Sequence, residues 1–206
     1  MSLIIVDYGL GNLSSVKNMI LKLGEKCEIS SEPDKINKAT KLILPGVGSF
    51  DSGIKNLNRL DLFEIINSRV LKERIPILGI CLGAQLMLNN SDEGILNGFG
   101  WIDGSVRSFK SEFSKRKIKY PVPLMGWRSI TKKKISKLRI IKNSRFYFVH
   151  SYFFDLVDNK IGIFETNYGI NFISGFQKEN IMGVQFHPEK SHKFGFYLIK
   201  SFIEDA

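Results

Sequence analysis

The chain is predicted to fold as an α/β domain, with an open, mostly parallel sheet, helices on both faces, and an antiparallel strand excursion in the second half. Three observations predict it. In the first half, short apolar β-branched runs alternate with segments of helical periodicity, the order expected of parallel strands joined by crossover helices. From Trp101 to Val184 short strands follow one another closely, as in hairpins. The chain has 206 residues, 43% of them hydrophobic, enough for one domain with a complete core.

The elements follow in order. Leu3 to Val6 is a buried strand, because a continuous apolar run this short fits a sheet covered on both faces. Asp7-Tyr-Gly-Leu-Gly-Asn is a turn, and Leu13, Val16, Ile20 and Leu23 recur at helical spacing until Gly24 stops them. Cys27 to Ser30 and Lys41 to Leu44 are the next strands, the latter ending at Pro45-Gly46-Val47-Gly48. Helical stretches run through Ile54, Leu57 and Leu60, then through Phe63, Ile66 and Val70. Pro76 to Ile80 is a fourth strand leading into Cys81, and Gln85 to Asn89 is expected to continue as helix. In the second half, strands are expected at Met125 to Ile130, Phe146 to Val149, Ile161 to Glu165, Ile173 to Gln177 and Met182 to Phe186. An amphipathic helix from Phe194 to Ile203 closes the chain.

Composition excludes several classes. Charged residues make up 24%, ordinary for a folded protein and low for a disordered one. The net charge of +10 is Lys-heavy and scattered. Its densest runs, Lys115-Arg116-Lys117 with Lys119 and Lys132-Lys133-Lys134 with Lys137 and Arg139, read as solvated loops and strand edges. They carry no zinc-finger spacing or basic zipper helix, so a nucleic-acid-binding domain is only a distant alternative. The cysteines, Cys27 and Cys81, are too few for a disulfide scaffold. The opening residues lack the form of a signal peptide, and no apolar run reaches the roughly 20 residues needed to span a bilayer. A cytoplasmic protein is expected, with no membrane contact.

The chemistry centres on Gly79-Ile80-Cys81-Leu82-Gly83. This is a nucleophile elbow with Cys in place of Ser, directly after an apolar strand, which is the context the motif requires. Side chains two residues before or after the nucleophile would crowd so tight a turn. The helix that follows points N–H groups and its positive end at the sulfur.

A thiol nucleophile needs a base. Of the three histidines, His187 lies in Gly183-Val-Gln-Phe-His-Pro-Glu, where Pro188 ends a strand. Glu189, two residues on, can bond the imidazole and fix its tautomer, completing a nucleophile, base and orienting acid. His150 also ends an apolar strand. It reads either as a satisfied core histidine or, with Ser151 and Tyr152, as part of a ligand pocket. His192 starts the last helix and reads as surface. No third ligand accompanies His187 and Glu189, so no metal is expected.

Together, Gly-Ile-Cys-Leu-Gly-Ala-Gln and Gly-Val-Gln-Phe-His-Pro-Glu-Lys-Ser resemble the class I glutamine amidotransferases. Asp7-Tyr-Gly-Leu-Gly-Asn-Leu-Ser-Ser-Val, Leu44-Pro-Gly-Val-Gly-Ser-Phe, Met125-Gly-Trp, Tyr147-Phe-Val-His-Ser-Tyr and Asn167-Tyr-Gly narrow the resemblance. From end to end they are similar to the glutaminase subunits of imidazole glycerol phosphate synthases. The resemblance implies a three-layer, flavodoxin-like fold and a single type 1 glutamine amidotransferase domain over residues 1–206. It implies that Cys81 attacks the carboxamide of L-glutamine, with His187 shuttling the proton and Glu189 orienting it. The oxyanion would be held by backbone N–H groups around Gly46, Val47 and Gly48 and by Leu82, and glutamine by Gln85, Ser151 and Tyr152. No cofactor is implied. The implied partner is a (β/α)8 cyclase subunit that receives the ammonia, met by Asp7, Gly11, Asn12, Trp127 and Arg128.

Two positions depart from the family pattern. Ala84 stands where Met is more frequent, and Arg128 follows Met-Gly-Trp where Asn is usual. Both leave the glutaminase chemistry in place, but Arg128 bears on the partner. An ATP-dependent sugar-amidating synthetase of surface-polysaccharide assembly is the alternative acceptor. Gly9-x-Gly11-x-x-Ser14 imitates a dinucleotide fingerprint but lacks its third glycine, and no acidic residue clearly ends the second strand.

Overall fold

The computed structural model describes residues 2–206. In chain order its strands and helices begin with β1 (Leu3–Val6), α1 (Leu13–Lys22), β2 (Glu28–Ser30), α2 (Pro33–Asn37), β3 (Lys41–Gly46), α3 (Phe50–Arg59) and α4 (Leu62–Leu71). Next come β4 (Ile77–Cys81), α5 (Leu82–Gln85), β5 (Leu88–Ser91), β6 (Ile102–Ser108), α6 (Phe109–Arg116), β7 (Leu124–Ser129) and β8 (Thr131–Lys132). The last are β9 (Arg145–His150), β10 (Tyr152–Leu156), β11 (Gly162–Tyr168), β12 (Ile170–Lys178), β13 (Ile181–Val184) and α7 (His192–Asp205).

The main sheet runs β2-β1-β3-β4-β13-β12-β10-β6-β5, with β11 and β8 attached beside β12. It is parallel from β2 to β13. It turns antiparallel through β12, β10 and β6. Strands β7 and β9 form a separate ribbon. The expected parallel sheet with an antiparallel excursion is thus the observed architecture.

Period-2 alternation sorts the core into two layers. On β1, Leu3 and Ile5 pack with Val16 and Ile20 of α1 and with Leu198 and Phe202 of α7. Ile4 and Val6 face the other way, onto Ile36 of α2, Leu57 of α3 and Ile66 of α4. The end of α7 is fastened from beneath. The buried Lys41 ammonium donates to the carbonyls of Ile203 (2.6 Å) and Phe202 (3.3 Å), carbonyls that the last helical turn leaves open.

Some expectations change. Gln85 to Asn89 is not helix: α5 ends at Gln85 and β5 begins at Leu88. Tertiary pairing wins there, because the carbonyls of Leu86, Met87 and Leu88 accept from Phe99 (2.8 Å), Ile102 (3.1 Å) and Gly100 (3.2 Å). The run Lys110 to Arg116 is helix α6, capped by Ser108 Oγ, which accepts from the Ser111 N–H at 3.4 Å. Lys115 and Arg116 therefore sit in a last helical turn rather than a loop, where they complement the negative end of the dipole. Lys132 to Lys134 are exposed as expected, Lys132 on β8. Helix α2, with Pro33 at its first turn, and strands β6, β8 and β10 are additional elements. Among the described residues no helix is long and apolar enough to cross a membrane.

At the end of β9, His150 is buried between Phe109, Phe148 and Phe172, with ring centroids at 5.5, 5.6 and 5.7 Å. Its Nδ1 lies 2.6 Å from the Tyr152 carbonyl, which makes Nδ1 the protonated nitrogen. Burial drives its pKa down to about 3, against the opposing bond to Tyr152. A base whose folded pKa is depressed binds its proton more readily when unfolded, so stability falls as pH drops from about 6.5 towards 3. His150→Asn keeps a donor for the carbonyl but cannot titrate. Urea unfolding of this variant should lose up to about 1.4 kcal/mol per pH unit of slope in that window. An unchanged slope would show that His150 does not carry the effect.

Candidate active site

The C-terminal ends of three adjacent parallel strands converge on one point. In register, Gly46 of β3 lies opposite Cys81 of β4, and Val184 of β13 lies opposite Ile80. Ligand sites of parallel sheets lie at such carboxyl edges. Cys81 is the hinge between β4 and α5, with φ 53° and ψ −111°, a backbone conformation that L residues rarely adopt. It is 7% exposed. The flanking glycines are required by contact. A Cβ on Gly79 would come within 2.6 Å of the Ala84 Cα, and one on Gly83 would collide with the Leu44 carbonyl.

His187 lies three residues beyond the end of β13, and its backbone N–H donates to the Tyr147 carbonyl of β9 at 2.9 Å. The turn that follows is held by Ser191. Its Oγ donates to the His187 carbonyl at 2.6 Å and accepts from the Tyr147 N–H at 3.0 Å. His187 Nδ1 bonds Glu189 Oε1 at 2.7 Å, and both side chains are buried. Nδ1 therefore carries a proton toward the carboxylate, which leaves Nε2 to face the nucleophile. Nε2 has no partner at full hydrogen-bond geometry. Cys81 is nevertheless near enough to act on it electrostatically. Burial opposes a charge on His187, but negative charge on Cys81 and Glu189 overrides it and raises the imidazole to about 10.

In front of Cys81 opens a cavity of about 230 Å³. Of the residues expected to bind the oxyanion and glutamine, Val47, Gly48, Leu82, Gln85, Ser151 and Tyr152 line it. Gly46 does not; it packs behind the loop. The Tyr8 hydroxyl occupies the space a Gly46 side chain would need. That phenol is fully buried without a partner, and burial, then charge on Cys81, raise its pKa above the ordinary value. His150 also lines the cavity, and its buried Nε2 has no partner, so it is a core histidine satisfied only at Nδ1 that stands at the ligand pocket.

Two residues of the site were not singled out from sequence. Glu93 lines the cavity and accepts the Phe50 N–H, at the start of α3, at 2.8 Å. Burial raises its carboxyl pKa and that bond opposes the rise. Gln185 is fully buried and bonded to Gln85 and to Cys81. Its place two residues before His187 was the available signal.

The residues expected at a partner face lie outside the cavity. Asp7 Oδ1 accepts the Gly9 N–H at 3.0 Å. Gly11 packs its backbone against Pro45 and Gly46, and Asn12 stands at the N-terminus of α1. On β7, Trp127 stacks flat on the exposed His192 ring at 5.6 Å. Arg128 donates to the Trp127 carbonyl at 2.9 Å and covers the Tyr168 ring at 5.1 Å. Among the described residues no group of His, Cys, Asp and Glu is arranged to hold a metal ion.

Comparison with known proteins bears on the family of the chain. The profile of the family described as "Glutamine amidotransferase class-I" matches residues 4–204. The chain is 50% identical over 205 residues to "Imidazole glycerol phosphate synthase subunit HisH 2" of Methanococcus maripaludis, covering 98% of each. It is 42% identical to "Imidazole glycerol phosphate synthase subunit HisH" of Bdellovibrio bacteriovorus, covering 97% of this chain and 98% of that protein. Among solved structures it is similar in fold to a glutamine amidotransferase (TM-score 0.74, 14% identity, 98% and 97% covered). It is also similar to PurLQS from Thermotoga maritima (TM-score 0.72, 17% identity, 98% and 97% covered). With a family profile spanning nearly every residue and relatives of this identity over the whole length, the chain belongs to the class I glutamine amidotransferases.

Proposed function

We infer that this chain is the glutaminase subunit of an imidazole glycerol phosphate synthase, acting as one glutamine amidotransferase domain. Membership of the class I family makes it a glutamine-hydrolysing enzyme subunit. The reading of its site rests on one observation: a thiol on a strained strand-to-helix turn stands beside a buried histidine that is bonded to a buried carboxylate.

In this reading L-glutamine enters the cavity with its carboxamide toward Cys81. Gln85, Ser151 and Tyr152 hold the substrate, and Glu93 meets its α-ammonium. The thiol proton rests on His187 Nε2, and the sulfur attacks the carboxamide carbon. The oxyanion is held by backbone N–H groups of Leu82 and of the Gly46 to Gly48 loop, donors worth about 2.7–4 kcal/mol each in such sites. The imidazolium, kept protonated by Glu189, gives its proton to the leaving nitrogen. The C–N bond breaks, ammonia departs and a glutamyl thioester remains. Water, deprotonated by His187, then cleaves the C–S bond, glutamate leaves and the thiol is restored.

Ammonia passes to a (β/α)8 cyclase subunit docked over Asp7, Gly11, Asn12, Trp127 and Arg128. The names of the relatives support a subunit of a complex of this kind. A nucleophilic thiol needs a reducing compartment, which supports a cytoplasmic location. Co-purification from the host identifies the partner: a (β/α)8 cyclase supports the reading, and an ATP-dependent sugar-amidating synthetase overturns its pathway while leaving the glutaminase chemistry intact.

The glutamine-like alkylating agent 6-diazo-5-oxonorleucine should label Cys81 and spare Cys27, as peptide mass spectrometry would read. Cys81→Ala should lose at least about 10³-fold in glutaminase rate with the fold retained; full activity in this variant would sink the nucleophile. The isolated chain should hydrolyse glutamine weakly and gain tenfold or more, roughly, when the cyclase is added, because the partner populates the competent loop. Equal rates with and without the cyclase would refute the coupling. Glu93→Gln should raise KM for glutamine about tenfold with kcat little changed, the mark of lost ground-state binding to the ammonium. A fall in kcat at unchanged KM would count against that role.

A further inference from the structure

Gln185 follows the apolar strand β13, whose four residues are all buried. It is itself 0% exposed. A buried amide is costly unless its polar atoms are bonded, so its partners reveal its use. The backbone N–H donates to the Ser174 carbonyl at 3.0 Å, which is ordinary sheet pairing. The side chain makes two further bonds, and both lead into the site. Its Oε1 accepts from Gln85 Nε2 at 3.1 Å, and its Nε2 donates to Cys81 Sγ at 3.6 Å. Between Gln185 and His187 the chain bends, and Phe186 stacks on Phe146 at 4.0 Å. The sulfur is thus met by an amide N–H from one residue and an imidazole from the next but one.

We propose that Gln185 is a positioning residue for Cys81, its amide N–H holding and stabilising the anionic sulfur while Gln85 fixes the direction of that amide. The proposal deepens, and rests on, the reading of Cys81 as the nucleophile. A hydrogen bond to an anion is about twice as strong as one between neutral groups, and donation from Gln85 to Oε1 polarises the amide further. Gln85 also lines the substrate cavity, so the same chain of bonds runs from the glutamine pocket to the sulfur. Other groups facing Cys81 act from different elements. They are the Tyr8 phenol after β1, His187 with Glu189 beyond β13, His150 at the end of β9 and Glu93 across the cavity. Among the described residues, Gln185 is the side chain that donates an N–H to the sulfur.

The test is alkylation of the full-length chain by iodoacetamide, a probe too small to depend on glutamine recognition. Rates at Cys81 and Cys27 are read separately by peptide mass spectrometry at pH 6 and pH 9.5. In Gln185→Met, close in volume and without a donor, the Cys81 rate should fall about tenfold at pH 6. At pH 9.5, above the ordinary range for thiols, it should stay within about twofold. Gln85→Met should give a smaller fall in the same direction. A Cys81 rate at pH 6 within twofold of wild type in Gln185→Met overturns the proposal. If that variant does not fold, shown by loss of its thermal transition, Gln185→Leu decides by the same readout. It removes the donor without adding a charge, and a fall at pH 6 supports the proposal while a wild-type rate overturns it. Should wild-type Cys81 react no faster than Cys27 at pH 6, the nucleophile reading itself fails, a result separable from a fast wild type with an equally fast Gln185→Met.

Discussion

The site depends first on the backbone at Cys81. A non-glycine residue at φ 53° and ψ −111° costs about 1–3 kcal/mol and persists only where its surroundings over-determine it. Here they do. Strand β4 is clamped between β3 and β13 by parallel ladders on both sides, and α5 begins immediately after it. Gly79 and Gly83 let the turn pack against Ala84 and Leu44 without side chains between. The strain lifts the sulfur out of the strand into the cavity mouth, where the imidazole and the Gln185 amide reach it.

The second constraint is the disposal of buried charge. His187 and Glu189 are both buried, a state that isolated ions could not maintain. Their mutual bond, with Cys81 as the third member, makes the cluster self-compensating. His150, among phenylalanine rings, takes the opposite course, its pKa held down by burial. The two histidines are therefore shifted in opposite directions by their neighbours.

Much of this was legible in the residues. The apolar runs of β1, β3 and β4 and the glycines around Cys81 have short-range causes, and a periodic reading captures those. The helix expected over Gln85 to Asn89 failed because the carbonyls it needed are taken by residues Phe99 to Ile102, a pairing that no local window displays. Helix α6 was obscured by charge, since lysines on its exposed side drown the two buried contacts of Phe109 and Phe113. Glu93 was invisible for a similar reason: it belongs to a polar loop, and only the fold carries that loop to the cavity wall. Gln185 lay in plain view within the His187 segment, but its use depends on where the sulfur sits.

The contact between Gly11 and the Pro45–Gly46 peptide has a mechanical meaning. A Cβ on Gly11 would already be 3.3 Å from the Gly46 N and Cα and from the Pro45 carbonyl carbon, so main chain rests on main chain with nothing soft between. Side chains absorb small displacements by changing rotamer, whereas two abutting backbones form a joint without slack. A methyl group added at Gly11, whose φ is 116°, would be strained there and would need the Pro45–Gly46 main chain to give by a few tenths of an ångström, so the turn after β1 and the loop in front of Cys81 are fitted to each other.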